Sequence, residues 1–545
     1  MIKVKPTSIS EDQEATAAES RKANVIGWLV FVVVIAFLLR SYGLNTKSLW
    51  LDETISLARI SGSFDQMIDD VALNDGHPPV YYGTLYILTW PFRGGGMSDR
   101  TLRYPSVLAS LLTLAVVYLI ERRLNPERKF PAASAMFALS AFAVFYAQDA
   151  RNYALSGLWV ALSTFFLLRS LDEEIPSTRD FIGFFISTAL ALYTFYYTLF
   201  FLISQAAAVL ILKKVQKKTW MRWACFFGAP FVVFLLYVPV IFDMREKLRA
   251  AGAPMGFQMP GLADLLRLAS EIGVGYHPLL RDKPIVYCII VFVLVTVPVA
   301  IFCLGRGSWR PGHCLLLCLL AGPVLCLLFF PFKPHLFESK HLYPMTPFLF
   351  LLMAEVVQCR QGAANDPSAR FGAKIAATAV ALILALNIHS LILYHQSDFQ
   401  KEDWKGAVRF VTKGALLGDL ILPAPFYLES PIKRYCPREQ QPLIRSIRPG
   451  IKDSSKLSLT SYENIWLIEL LDSPVSYEDK LSRGIAQRNR KAARCPQQTQ
   501  CAFCAACRPV VADPGLIRLP LAGTARSPGP PRIAQPDPRP EEPDH

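Results

Sequence analysis

Long uncharged apolar runs alternate along the chain with short polar patches that are mostly basic. Runs near residues 25–41, 103–120, 130–147, 153–169, 224–242, 285–303, 313–331, 342–358 and 375–394 stand out. Each approaches the roughly 20 residues with which a helix crosses about 30 Å of hydrocarbon. The stretch 181–212 is also uncharged but too long for one crossing. As a single helix it would carry Lys213, Lys214, Lys217 and Lys218 to the outside, whereas two short helices turning near Tyr196 keep that cluster in the cytoplasm. The pattern predicts an all-α polytopic membrane protein of eleven transmembrane helices.

The first run follows Arg21 and Lys22 and leads into RSYGLNTKSLWLDE with no small-residue cleavage site, so it reads as an uncleaved helix with a cytoplasmic tail at residues 1–24. The basic loops ERRLNPERK, KKVQKKTWMR and GRGSWRPGH then fall inside, as do RSLDEEIPSTRD and CRQGAANDPSARFGAK. The outside receives the first loop at 41–100, the turn QDARN, residues 243–283, FKPHLFESK and everything after Tyr394. Two juxtamembrane helices are predicted there. HPPVYYGTLYILTWPF, opened by prolines suited to a helix start, would lie along the headgroups, and GLADLLRLASEIG has apolar residues at helical spacing.

The membrane unit spans 25–394, and a small α/β segment is predicted over 395–482, with a helix from Asp403 to Thr412 and strands at Leu420–Leu422 and Ile465–Leu470. Residues 483–545 turn to Arg, Pro, Ala, Gln and Cys with few aliphatics and read as disordered. Cys501, Cys504 and Cys507, with Cys495 upstream, are a weak metal signal without a supporting fold. The 57 Lys and Arg against 43 Asp and Glu give a net charge of +14. Because these residues sit between apolar runs and form no solvated stripe, they set topology and exclude nucleic acid as the partner.

Four polar islands interrupt the apolar pattern, and the basic loops place all four on one face. Asp52 and Glu53 follow the first helix and are either chemical groups held beside hydrocarbon or the start of a helix. Asp149 and Arg151 sit in a turn, as a functional pair or as an ion pair that ends two helices. His77 precedes Pro-Pro as a ligand or a turn residue, and Lys340 with His341 either clamps phosphate or reaches to the interface.

Taken together these motifs resemble glycosyltransferases of the GT-C type, in particular the protein O-mannosyltransferases of family 39 and the lipid A aminoarabinose transferases, over roughly residues 25–425. The Asp-Glu motif is matched by Asp52 and Glu53, and the His-Pro-Pro-x-Tyr-Tyr element by His77, Tyr81 and Tyr82. Arg103, Pro105 and Ser106 match the Arg-x-Pro-Ser start of the second helix, and Asp149, Arg151 and Tyr153 match the acidic-x-Arg-x-Tyr turn. Where many relatives carry Arg-Tyr-Leu, this chain has Lys340, His341 and Leu342, which keeps charge but not the bidentate fork.

The resemblance implies a GT-C fold, a polyprenyl-phosphate sugar donor, and an acceptor lipid, glycan or protein at the extracytoplasmic side of the plasma membrane. It implies Asp52 as the base, with Glu53 and Asp149 beside it. Arg151, Lys340, His341 and Arg103 would meet the donor phosphate, and His77, Tyr81, Tyr82 and Tyr153 would complete the site. A divalent cation is left open, with Glu53 and His77 as its candidate ligands. The rival is a multi-helix transporter or lipid flippase, against which the chain shows no paired segments of an internal repeat.

Overall fold

In the computed structural model, helices over Ala23–Ser41, Asp99–Leu124, Tyr153–Leu171, Pro311–Leu328 and Ala377–His395 are long and apolar enough to cross a membrane, which makes this a multi-pass membrane protein. The structure describes residues 11–276 apart from 76, 93–95, 172, 174–176, 213–219 and 251–260. It further describes 311–445 apart from 330–337, 363–366, 397–401, 417 and 425–427, and then 465–471 and 516–520. The predicted crossing at 285–303 and the four tail cysteines lie outside the described residues.

Over the described residues the first loop contains α2 (Leu51–Arg59), α3 (Phe64–Asn74) and α4 (Val80–Thr89), between α1 (Glu11–Ser41) and α5 (Asp99–Leu124). The sequence predicts only the last of the three loop helices as a regular element. Ser63 caps α3 by accepting from the Gln66 amide while Gln66 returns a bond to the Ser63 amide, a reciprocal box that satisfies two orphan donors.

The apolar run at 130–147 is not one helix but two, α6 (Ala132–Ala138) and α7 (Ala141–Ala147). Ser140 caps the second through a bond from the Ala143 amide. A broken helix exposes backbone groups that hydrocarbon cannot satisfy, so polar side chains must reach them. Arg40 of α1 donates to the carbonyls of Ala138 (3.0 Å) and Phe137 (3.1 Å), and Asn387 Oδ1 accepts from the Ala141 amide at 2.8 Å. The sequence pattern missed the break because the compensation comes from residues roughly 100 and 246 positions away.

The long stretch at 181–212 does divide, into α9 (Thr178–Thr194) and α10 (Leu199–Leu212) around a 3-10 turn at Tyr196–Thr198. Between α7 and α9 lies α8 (Tyr153–Leu171). The run at 224–242 is again interrupted, as α11 (Trp220–Leu235) and α12 (Val238–Ala250). Then come α13 (Leu262–Val274), α14 (Pro311–Phe329), a 3-10 turn at Ser339–Met345, α15 (Thr346–Gly362) and α16 (Pro367–His395). Among the described residues the runs at 130–147 and 224–242 are thus each split by a turn where the pattern predicts a single helix, while 181–212 divides as predicted.

At its C-terminal end α5 is anchored by a buried charge cluster. Arg128 bonds Glu121 at 2.7 Å and Glu355 at 2.6 Å, and His313 Nε2 stands 3.2 Å from the other oxygen of Glu355. Glu121 also accepts from the Ala133 amide, so the start of α6 is held by the same group. Gly275 ends α13 at φ 79°, and a Cβ there would meet Ala141 Cβ at 2.8 Å, so a side chain is excluded on both counts.

A second compact unit comprises Ser48–Leu51 and residues from Gln400 onward. Its described elements are α17 (Trp404–Gly414), β1 (Leu420–Ala424), α18 (Glu429–Tyr435), β2 (Ile465–Leu471) and β3 (Leu516–Pro520). The strands form a parallel sheet in the order β1-β2-β3, with Leu420 opposite Ile465 and Leu467 opposite Leu516. Trp404, Val408, Val411, Leu428, Ile432 and Ile468 are buried in its core. Asp403 caps α17 through the Gly406 amide. The stretch after residue 483 is predicted to lack structure, yet it contributes β3, an apolar segment completed by the free edge of β2.

Candidate active site at the head of the second helix

Adjacent carboxylates at the start of a helix point about 100° apart, so they meet different surroundings. In α2 both lie in the first turn, where the helix dipole favours negative charge. Glu53 is fully buried and makes a two-pronged pair with Arg103, Oε1 to Nε at 2.7 Å and Oε2 to Nη2 at 2.6 Å. Its Oε1 also accepts from the Ala150 amide at 2.9 Å, and Arg103 spends Nη1 on the carbonyls of Leu44 and Lys47. These two candidates satisfy each other and fasten α2, α5, the segment after α1 and the 148–152 turn together.

Asp52 has the opposite setting. Its side chain is 27% exposed, and its Oδ2 stands 3.8 Å from Nε of Arg151. Arg151 itself is buried, and its Nη1 lies 3.3 Å from the Tyr82 hydroxyl and 3.5 Å from both the Ser56 hydroxyl and the Asp52 carbonyl. Burial disfavours the Arg151 charge, but Tyr82, Asp52, Tyr153 and Asp75 outweigh it and raise the guanidinium well above its ordinary value.

The turn that carries Asp149 and Arg151 is built for its place. Gln148 donates to the carbonyls of Leu39, Arg40 and Tyr42, closing the end of α1, and accepts from the Tyr394 hydroxyl at 2.9 Å. Asp149 is fully buried beside it, and Asn152 donates to Thr194 of α9. A turn that merely ended two exposed helices would need none of this.

Asp75, which the sequence pattern did not single out, is the hub of the first loop. It accepts from the Tyr82 hydroxyl at 2.7 Å, from the His77 amide at 2.9 Å and from Nδ1 of the His77 ring at 2.9 Å, and Arg59 Nε stands 3.4 Å away. Arg59 is in turn paired with Asp70. Burial pushes the Asp75 carboxyl up, but its bond and charge from His77, the Arg151 charge and the Tyr82 bond together hold it well below the usual carboxylate range. The signal was present as an Asp two residues before His77 and seven before Tyr82, a spacing meaningful only once the loop folds.

Lys340 and His341 lie in the 3-10 turn before α15. Lys340 pairs with Glu338 at 2.5 Å, and although burial disfavours its charge, Tyr153, Glu338 and Asp52 raise it above the ordinary lysine value. His341 is buried and stacks on Tyr197 with centroids 4.8 Å apart and planes within 6°. Ser339 donates to Glu271 of α13, and its hydroxyl lies 3.2 Å from that of Tyr276, which meets the Tyr146 hydroxyl. Glu271 and Tyr276 are further residues that the sequence left unremarked.

Among the described residues, two buried donors of this site have no hydrogen-bond partner: Nε of Arg151 and the hydroxyl of Tyr81. Tyr81 packs edge-on against Tyr82 at 5.3 Å, and its phenol is pushed up first by its own burial. Buried donors left unpaired are costly, which sets these two apart from the saturated Arg103. Tyr153 closes the site from the start of α8, stacked edge-on to Phe195 and Tyr146. For a cation the fit is poor: Glu53 is saturated by Arg103, and no group of three His, Cys, Asp or Glu side chains is placed to hold a metal among the described residues.

Residues 76–242 match the profile of the family described as dolichyl-phosphate-mannose-protein mannosyltransferase. That segment contains His77, Tyr81, Tyr82, Arg103, Asp149, Arg151 and Tyr153, so over this third of its length the chain is similar to that family. Comparison with curated proteins returns no match. Among solved structures the chain is similar to ArnT from Cupriavidus metallidurans in the apo state, with 12% identity over 84% of this chain and 89% of that one at a TM-score of 0.47. It is also similar to the same ArnT bound to undecaprenyl phosphate, with 14% identity over 75% and 84% at 0.45. A third is the archaeal oligosaccharyltransferase AglB from Archaeoglobus fulgidus in complex with an inhibitory peptide and a dolichol-phosphate, with 10% identity over 75% and 63% at 0.42.

Proposed function

We propose that this protein is a membrane glycosyltransferase that moves a sugar from a polyprenyl-phosphate carrier to an acceptor hydroxyl at the outer face of the plasma membrane, with inversion at the anomeric carbon. The observation that carries this is the partly exposed Asp52 carboxylate 3.8 Å from a buried Arg151, whose Nε is unbonded among the described residues. A carboxylate open to an incoming hydroxyl and a guanidinium open to an oxyanion are the two halves of a displacement at a sugar phosphate. The family match over residues 76–242 supports the same donor class.

In this mechanism Asp52 accepts the proton of the acceptor hydroxyl as its oxygen attacks the anomeric carbon. The bond from that carbon to the phosphate oxygen breaks, and the electron pair leaves with the lipid phosphate. Arg151 and Lys340 neutralise the charge that develops there, and the Tyr81 hydroxyl donates to one of its oxygens. Phosphate is a competent leaving group, so no acid is required. Attack from the side opposite the phosphate inverts the configuration. Glu53 and Arg103 act as the fixed frame that aims Asp52, Asp149 shapes the turn that carries Arg151, and His341 holds the Lys340 turn against Tyr197.

The test is transfer of radiolabelled sugar from a polyprenyl phosphate by purified protein in nanodiscs. Labelled product would support the reading, and lipid or substrate movement across sealed vesicles without transfer would assign the chain to the transporters instead. The acceptor, whether lipid, glycan or protein, is to be identified by mass spectrometry of what accumulates in a strain lacking the protein. The residues from 395 to 482 are proposed as a small outer domain, and those before residue 25 as a cytoplasmic tail.

A further inference from the structure

A carboxylate accepts hydrogen bonds and donates none, and a phenol has one proton to give. The 2.7 Å contact between Tyr82 and Asp75 therefore commits the Tyr82 proton to Asp75. The lone pairs of the phenol oxygen are left for the other neighbour, Nη1 of Arg151 at 3.3 Å. Guanidinium nitrogens are locked in one plane, so fixing one Nη sets the direction in which Nε points. That Nε is the buried donor without a hydrogen-bond partner among the described residues.

The second oxygen of Asp75 has a parallel effect. It takes Nδ1 of His77, and the His77 backbone amide bonds the same oxygen, so ring and main chain are held by one group. The ring nitrogen left over is Nε2. Asp75 itself is 7% exposed and is held in place by Arg59, which Asp70 steadies from the other side.

We propose that Asp75 is a positioning residue of the site, acting through the Tyr82 hydroxyl to aim the Arg151 guanidinium at the carrier phosphate and directly to orient the His77 ring. This rests on the reading of Arg151 as the phosphate-binding residue. Asp75 does not serve as the base, since Tyr82, the His77 ring and the His77 amide already donate to it and Arg59 stands beside it.

The experiment compares Asp75→Asn, Tyr82→Phe and the double variant with wild type in nanodiscs, measuring sugar transfer and, separately, direct binding of polyprenyl phosphate. Each single variant is expected to raise KM for the donor and weaken phosphate binding about tenfold. The double variant should be no worse than either single one, because both changes cut one path. Wild-type binding in both singles, or losses that multiply in the double variant, would overturn the proposal. A purely structural role would instead lower the active fraction and leave KM and binding affinity of the remainder unchanged. Should Asp75→Asn fail to fold, Tyr82→Phe retains the buried carboxylate and decides alone: unaltered phosphate binding sinks the relay. If wild-type protein binds the polyprenyl phosphate but transfers no sugar, the glycosyltransferase reading falls, and the binding series still decides the role of Asp75.

Discussion

Oδ2 of Asp52 stands 3.8 Å from Nε of Arg151, a full ångström further than the contacts between Glu53 and Arg103, two pairs that begin one residue apart in α2. The closer pair is spent on structure. The looser one leaves the Arg151 Nε without a hydrogen-bond partner among the described residues, as the proposed function requires. Asp52→Asn should therefore leave folding and membrane insertion intact and lower kcat by about 10²-fold to 10⁴-fold, the usual worth of a positioned base. Undiminished turnover of the purified variant would remove Asp52 from the mechanism.

Glu53 should behave in the reverse way. Its Arg103 partner is buried with it, and removing one member strands the other charge without water, a loss of about 3–5 kcal/mol. Glu53→Ala is expected to show as a lowered melting temperature in detergent and poor recovery from membranes. A well-folded Glu53→Ala protein with a selectively lower kcat would move Glu53 into the chemistry.

Arg151→Lys keeps a positive charge but gives up the planar fork. The donor KM should rise on the order of tenfold or more, with kcat also reduced because the developing phosphate charge is met by a single point donor. Steady-state kinetics against donor concentration separates the two effects. Equal kinetics for lysine and arginine at this position would mean that only net charge matters.

The pH dependence of Asp75 follows from its depressed carboxyl. A carboxylate that titrates lower in the folded than in the unfolded chain stabilises the fold fully above the unfolded value of about 3.9 and loses that contribution as pH falls through the folded value. The difference in melting temperature between wild type and Asp75→Asn should then not narrow between about pH 8 and pH 5 and should narrow only below about pH 4. A gap that closes between pH 7 and pH 5 would contradict the environment described for Asp75.

Ser339 and Glu271 supply a test on the Lys340 side. Ser339→Ala removes the bond that ties the turn to α13 and its link to Tyr276. The donor KM should rise a few-fold while the melting temperature shifts only slightly, since one hydrogen bond is worth about 1 kcal/mol. Glu271→Gln, which still offers an oxygen to Ser339, should fall between wild type and Ser339→Ala.

Much of the site was legible because its residues were charged groups where charge is costly. Asp52, Arg151, Lys340 and His77 interrupt apolar sequence, and any such interruption near hydrocarbon needs a reason. The split near Tyr196 was legible too, because a basic cluster fixed the parity of the crossings. What stayed hidden depends on partners remote in sequence. Nothing local to 130–147 announces the break before Ala141, since Arg40 and Asn387 supply the compensation. Nothing local to Glu53 says that it is bound to Arg103 fifty residues on, while Asp52 is not similarly held. Asp75 was overlooked because an Asp before Gly in a loop is an ordinary turn residue, and only folding brings it to Tyr82.

Helix α5 is pinned at both extremities, by Arg103 with Glu53 near its start and by Glu121 with Arg128 near its finish. Eighteen residues of helix rise by about 27 Å, close to the oily thickness of a bilayer. A rod riveted at both rims cannot slide against its neighbours, so under the proposed function the height of Asp52 and Arg151 relative to the helices is set by the protein's own contacts. Carriers that share a head and differ only in the number of isoprene units trailing into the bilayer are accordingly expected to be used with similar KM.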